Sequence, residues 1–246
     1  MSATLVVQSH REDLPFAWLR DCLDSVAAWA DSNGFDYRFI GDEIFDLVEA
    51  GLLAKIGEQT VIATDLGRLR LVQQGLESGY DCVIWCDADF LIFRPDEFIL
   101  PTHAFAFGRE IWVQNDDDGR MRAYPKLHNA FMMFRRGNAC LEFYLDTAER
   151  LVRLNQGGMP PQFIGPKLLT ALHNIARFPL MDSAGMLSPL VMRDLLAGGG
   201  DALELLRQKS AVVPAGVNLS SSLTVAEGFS QEAMEKLIRL LQDDGI

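Results

Sequence analysis

Along the first 110 positions the apolar residues recur with two periods that take turns. "TLVVQS" (4–9) is a short β-branched run ending in polar residues, the pattern of a buried strand. "LPFAWLRDCLDSVAAWADSNG" (14–34) places its apolar residues at helical spacing and stops at Asn33-Gly34. "YRFIG" (37–41) predicts a second strand. "TDLGRLRLVQQGLESGY" (64–80) predicts a helix with Leu66, Leu69, Val72 and Leu76 on one side, and "CVIWC" (82–86) a third strand. Such alternation predicts an α/β fold with a largely parallel sheet, whose ligands gather at the carboxyl ends of its strands.

The second half is less regular. "AFAFGREIWVQ" (104–114) and "NAFMMFRRG" (129–137) predict strands on either side of the acidic turn "NDDDGR" (115–120). "ACLEFYLDTAERLVRL" (139–154) and "QEAMEKLIRLLQDD" (231–244) predict amphipathic helices, and "KLLTALHNI" (167–175) a shorter one. "NQGGMPPQFIGP" (155–166) and the "GGG" at 198–200 break the chain. With no internal repeat and no clean boundary, a single domain over 1–246 is expected.

Composition narrows the partners. Acidic residues outnumber basic ones 34 to 22, a net charge of −12, which argues against nucleic acid or an anionic membrane as main partner. An anionic ligand would need a metal, a helix N-terminus or a few well-placed cations. Cys22, Cys82, Cys86 and Cys140 form no C-x-x-C pattern and read as free thiols of a reducing compartment. The N-terminal stretch "MSATLVVQSHRED" lacks the basic and long apolar regions of a signal peptide, and no run approaches about 18 apolar residues. A cytoplasmic chain is expected, with peripheral placement at the inner membrane face the most a membrane role would amount to.

The chemistry concentrates in "GYDCVIWCDADFLIFRP" (79–95), where Asp87 and Asp89 stand between two apolar runs. In an extended segment, residues i and i+2 project to the same side roughly 6.5 Å apart. Two carboxylates there would reach one Mg²⁺ or Mn²⁺, with the small Ala88 letting a ligand approach the backbone. Without a cation, two carboxylates about 4 Å apart repel by roughly 4 kcal/mol at an effective dielectric of 20. The alternative is a pair of solvated turn residues, which the apolar flanks disfavour.

The stretch "ATDLGRLRLVQQGLESGYDCVIWCDADFLIF" resembles the nucleotide-sugar-binding core of GT-A-fold glycosyltransferases, particularly the D-x-D families 8 and 32. Asp65, Arg68, Gly79, Tyr80, Asp87 and Asp89 occupy the places of the family 32 pattern. "NAFMMFRRG" resembles the family's downstream acceptor-side strand and "GPKLLT" its Gly-Pro…Thr segment. The similarity spans roughly residues 1 to 175. The complete strand between Asp65 and the D-x-D is closer to family 8.

The resemblance implies a GT-A domain, α/β and Rossmann-like, with a mainly parallel, mixed central sheet flanked by helices, a nucleotide-sugar-binding half (1–110) and an acceptor-side half (111–246) with a variable helical C-terminus. It implies a metal-dependent, retaining glycosyltransferase with Mn²⁺ or Mg²⁺, a nucleotide-diphosphate sugar as donor (a UDP-sugar favoured), and a glycan, lipid-linked or protein acceptor. Asp89 would bind the metal most directly, and Asp87 would share the metal or contact the ribose. Asp65 would bond donor-sugar hydroxyls and Arg68 the sugar or phosphate, Asn129 at the start of the acceptor-side strand would be the third catalytic residue, and Gln8, Ser9, His10, Ala88 and Lys167 would complete the donor site. His128 and His173 are the candidates for a third metal ligand, and Lys126 and His128 for offsetting phosphate charge. A surface i, i+3 ion pair is the alternative for Asp65 and Arg68. For the whole chain the alternatives are a non-catalytic nucleotide-sugar-binding member of the fold and a D-x-D phosphatase.

Overall fold

In the computed structural model, which describes residues 3–246, the predicted alternation closes into a sheet. The first two residues of the expected 1–246 domain lie outside the described residues. β1 (Thr4–Ser9) leads through α1 (Trp18–Ser32) to β2 (Asp36–Ile40). A 3-10 turn (Asp42–Leu47), α2 (Ala50–Ile56) and α3 (Thr60–Glu77) then lead to β3 (Cys82–Cys86). Both β2 and β3 lie parallel to β1, one on each side. The chain thus leaves β1 in one direction and returns on the other. That reversal opens a crevice at the carboxyl ends of β1 and β3, where ligands of open α/β sheets bind.

After the short β4 (Phe90–Ile92) come β5 (Phe105–Asn115) and β6 (Met121–Arg135), α4 (Ala139–Leu154), α5 (Pro166–Ala176) and β7 (Leu180–Met181). The main sheet has the order β2-β1-β3-β6-β5-β7, with β6 alone running against the other five. β8 (Ala184–Met186), α6 (Pro189–Ala197), α7 (Asp201–Lys209), β9 (Gly216–Asn218), α8 (Ser221–Ala226) and α9 (Gln231–Asp243) complete the chain. β4 leaves the main sheet to form a second one, in the order β4-β9-β8.

Both faces of the main sheet are covered, which is why its central strands are apolar throughout. On one face Leu5, Val7, Val83, Trp85, Met132 and Phe134 pack with α3 and α4; on the other Val6, Ile84, Cys86, Phe131 and Met133 pack with Val26, Trp29 and Ala30 of α1. The C-terminal helices α6, α7 and α9 build a further core against α1 and β5. The four cysteines are free. Among the described residues no helix is long and apolar enough to cross a membrane.

β6 begins well before the strand predicted at 129. Only Cys82–Cys86 of β3 and Phe131–Arg135 of β6 pair; the earlier residues continue with β5 as a hairpin beyond the end of β3. Residues 121–128, outside the predicted strands, join β6 by pairing with β5. Register breaks between Phe107, opposite Met132, and Gly108, opposite His128, so Asn129–Phe131 bulge from the β5–β6 ladder.

His128 fills the space beside Gly108, fully buried, with Nε2 3.1 Å from the Ala184 carbonyl oxygen. Burial pushes its imidazole down to about 4, so the ring is neutral. A methyl group on Gly108 would lie 2.2 Å from that ring. Gly108→Ala is expected to cost about 3 kcal/mol, lowering the urea midpoint at unchanged slope. An unchanged midpoint would mean that the ring swings clear.

Candidate functional site

α3 turns its apolar stripe toward the sheet and carries Asp65 and Arg68 into the same interface. Both are buried, at 3% and 6% exposure, which replaces the surface-pair alternative with an interior network. The Arg68 guanidinium lies 3.3 Å from Asp65 Oδ1 and 3.0 Å from Asp87 Oδ1, and Nη1 also donates to the Asn129 carbonyl at 3.0 Å. Asn129 Nδ2 donates to Asp65 Oδ1 at 2.8 Å. Trp85, expected only as core, lies under the guanidinium with its ring centre 5.0 Å from Cζ and donates from Nε1 to Asp87 Oδ1 at 2.7 Å. Asp65 Oδ2 is buried without a partner among the described residues.

The two carboxylates of the D-x-D are not presented on an extended segment, as the sequence reading assumed. The Phe90 amide donates to the Asp87 carbonyl at 3.0 Å, closing a turn that gives each carboxylate its own surroundings. The Asp87 amide donates to Ala130 O at 2.8 Å, inside the bulge of β6. Asp89 points the other way. Its Oδ1 accepts from Asn218 Nδ2 at 2.6 Å and its Oδ2 from the Ser221 amide at 2.7 Å. Asn218 and Ser221 had no signal in the sequence, because their partner lies over a hundred residues away.

Gln8 is buried, donating to the Asp87 carbonyl at 3.0 Å and accepting from the Tyr37 hydroxyl at 3.0 Å. It therefore reaches the crevice through the backbone of Asp87 rather than through its own surface. Ser9 and His10 are half-buried at the carboxyl end of β1, with Ser9 Oγ 3.5 Å from Gly41 O. Ala88 is buried at the centre of the turn. Gly165, which precedes α5, packs so closely on the network that a Cβ there would sit 2.7 Å from Asp65 Oδ2 and 2.9 Å from Asn129 Nδ2. That contact sets the N-terminus of α5 and Lys167 next to the network.

A cavity of about 740 Å³ opens between these parts, lined by Lys167 and Thr170 of α5, by Ser220 and Ser222 beside Asp89's partners, and by Glu110 and Lys126 of the hairpin. The expectation that His128 serves as a third ligand or offsets phosphate charge is corrected: it is buried, neutral and bonded to Ala184 O. His173 lies two turns along α5 from Gly165, against Phe178.

One guanidinium faces three carboxylates. Burial raises Asp65, and Arg68 and Asn129 offset part of that rise. Burial also raises Asp87, to about 6; Arg68 opposes the rise and Asp89 reinforces it. Burial alone would lower Arg68, but Asp87 and Asp65 outweigh it and hold the guanidinium charged. Among the described residues no three His, Cys, Asp or Glu side chains converge as a metal cage. A hard divalent cation held by one or two carboxylates and completed by water and substrate phosphates needs no such cage, and the acceptor open to one here is on Asp87, both Asp89 oxygens being engaged by Asn218 and Ser221. The Asp87 side chain is 26% exposed, and its Oδ2 is not engaged by Arg68 or Trp85.

No family model matches the chain, and no curated protein sequence matches it. Solved structures do. A glycosyltransferase involved in the glycosylation of the major capsid of PBCV-1 is 12% identical with a TM-score of 0.50, the match covering 95% of this chain and 98% of that one. The galactosyltransferase LgtC, solved with donor and acceptor sugar analogs, is 13% identical with a TM-score of 0.46, over 96% of this chain and 95% of that one. The mixed sheet and the first likeness identify the fold as GT-A, as the sequence reading expected.

Replacing Arg68 with Met leaves Asp65 and Asp87 without their cation and is expected to cost about 3–5 kcal/mol in urea unfolding. A loss below about 1 kcal/mol would show that both carboxyls simply take up protons. Glu110 behaves oppositely. Burial raises its carboxyl from 4.5 to about 7, with Lys126 at 3.9 Å offsetting part of the rise. The folded state then holds the extra proton between those values, so stability falls as pH rises through that window. Glu110→Gln is expected to match the wild type near pH 4.5 and to exceed it by about 2 kcal/mol near pH 8. An equal gain at both pH values would remove the charge from the explanation.

Proposed function

We propose that this chain is a glycosyltransferase that moves a sugar from a nucleotide-diphosphate sugar, a UDP-sugar by preference, to a hydroxyl acceptor. The observation that carries the reading is the cluster at the switch-point crevice: Asp65, Arg68, Asp87 and Asn129 joined in one network, with Asp89 on the same turn. Residues 1–110 are read as the donor half and 111–246 as the acceptor half.

In this reading Asp87 and Asp89, the two carboxylates of the D-x-D turn, would hold a Mg²⁺ or Mn²⁺. Such an ion supplies Lewis-acid neutralisation of the leaving nucleoside diphosphate. Asp65 is read as the partner of donor-sugar hydroxyls, and Asn129 and Arg68 fix the direction of its carboxylate. Arg68 keeps Asp87 ionised at neutral pH, against the burial that raises it. Gln8 fixes the backbone of the D-x-D turn, Ala88 keeps that turn slim, and Ser9 and His10 at the β1 end face the nucleoside. Lys167 offsets phosphate charge from the start of α5.

Transfer is read as retaining. The bond from the anomeric carbon to the phosphate oxygen breaks, the acceptor oxygen bonds to that carbon from the same face, and the departing phosphate takes the acceptor proton. The acceptor is a glycan, a lipid-linked sugar or a protein.

Melting of wild type and Asp89→Asn with UDP, GDP, ADP and CMP, each with and without Mn²⁺, tests the reading. The expected result is a rise with UDP that needs Mn²⁺ and is absent in Asp89→Asn. A rise with UDP but no release of UDP from any UDP-sugar would assign a non-catalytic nucleotide-sugar-binding protein. A folded protein that responds to no nucleotide would refute nucleotide-sugar chemistry.

A further inference from the structure

The hairpin beyond the end of β3 presents two unlike faces. Ile111 and Val113 of β5 point into the core built with α6 and α7. The alternate residues Glu110, Trp112 and Gln114 point into the cavity, with Lys126 opposite Glu110 on β6 and Tyr124 opposite Trp112. Successive residues on one strand face stand roughly 6.5 Å apart. The cavity wall is therefore an aromatic surface bracketed along the strand by a carboxylate on one side and an amide on the other.

Glu110 is 7% exposed although it lines the cavity, and its nearest cation among the described residues, Lys126 Nζ, lies 3.9 Å away, beyond hydrogen-bond reach. Its acceptor capacity is therefore unspent. A hydroxyl-bearing ligand in the cavity would meet that free acceptor. Trp112 is half-buried, with Nε1 donating to Gln114 Oε1 at 2.9 Å, which fixes the indole relative to the amide. Across the cavity stand hydroxyls, from Thr170, Ser220 and Ser222.

We propose that this wall binds a neutral pyranose ring of the acceptor, its apolar face against Trp112 and its hydroxyls on Glu110 and Gln114. A pyranose has this division, apolar on the face and hydroxyl-bearing at the edge, and mixed aromatic and polar linings suit it. Glu110 and Lys126 set a carboxyl and an ammonium side by side on this wall, both able to bond sugar hydroxyls. Lys167 lines the same cavity from α5, at the end next to the Asp65 network. The inference deepens the glycosyltransferase reading and rests on it for the word acceptor. The binding itself does not need turnover.

Saturation-transfer NMR tests it on the full chain, with lactose, maltose and N,N′-diacetylchitobiose as probes and a Ser/Thr-rich peptide as the competing class. Wild type, Trp112→Ala, Trp112→Phe, Glu110→Gln and Asp87→Asn are compared, each checked for an intact melting transition. Ring-proton signals are expected from at least one disaccharide. Trp112→Ala should weaken binding by about ten-fold or more and Glu110→Gln by several-fold, while Trp112→Phe keeps most of it.

Asp87→Asn, which damages only the donor side, should leave the disaccharide signal in place. A saccharide signal that depends on Trp112 in a protein that binds no nucleotide would overturn the donor reading and keep this one. Nucleotide binding with no disaccharide signal, with a signal indifferent to Trp112, or with the peptide alone engaged would overturn this inference and keep the donor reading.

Discussion

The Arg68 guanidinium is the point on which the crevice hangs. It bonds carboxylates from α3 and from the end of β3 and a carbonyl from β6, so one side chain ties a helix, a strand and the hairpin together. A buried ion pair is worth little to stability unless its remaining lone pairs and protons are satisfied. Here they are only partly so: Arg68 Nε and Asp65 Oδ2 are buried without partners among the described residues. A cluster assembled for stability alone would have apolar residues in these places. The network is instead pre-formed and unsaturated, with an excess of negative charge that one cation leaves uncompensated.

That excess gives the C-terminal part of the chain its purpose. The D-x-D turn divides its two carboxylates between two frameworks, Asp87 to the main sheet and Asp89 to the second one. β4 starts directly after Asp89 and pairs with β9, placing Asn218 opposite Phe90 and next to the Asp89 carboxylate. The helices that follow and precede β9 pack on α1 and β5, so the position of Asp89 depends on the last third of the chain as much as on β3. Mutual repulsion within the D-x-D is contained because each carboxylate has donors of its own.

The first half of this arrangement was legible. "CVIWC" reads as a strand because both sheet faces are covered, and it is the observed β3; "ACLEFYLDTAERLVRL" coincides with α4. Asp65 and Arg68 could be paired from their i, i+3 spacing, though nothing in that spacing says the pair is buried. The turn at Asp87–Phe90 was not legible, because apolar runs on both sides suggested one continuous extended segment. β9 and α8 escaped for a related reason: short elements such as "GVN" and "SSLTVA" carry too few periodic positions to stand out. Their partners are set by tertiary contacts, as Asn218 on Asp89 shows.

The bulge in β6 joins these observations. Between Met132 and His128 the strand inserts Asn129, Ala130 and Phe131 against a single step of β5. Those residues are used at once: Asn129 gives its amide to Asp65 and its carbonyl to Arg68, and the Ala130 carbonyl takes the Asp87 amide. Beyond the bulge the register is reset, and with period-two alternation the register decides which side chains face the cavity. With Gly108 opposite His128, Ile111 and Val113 turn to the core and Glu110 and Trp112 turn to the cavity. A slip of one residue would bury a carboxylate and an indole in the wrong layer while turning two aliphatic side chains outward. The missing side chain of Gly108 admits the His128 ring at this register, so one local steric fit fixes both the backbone that holds Arg68 and the strand wall of the cavity.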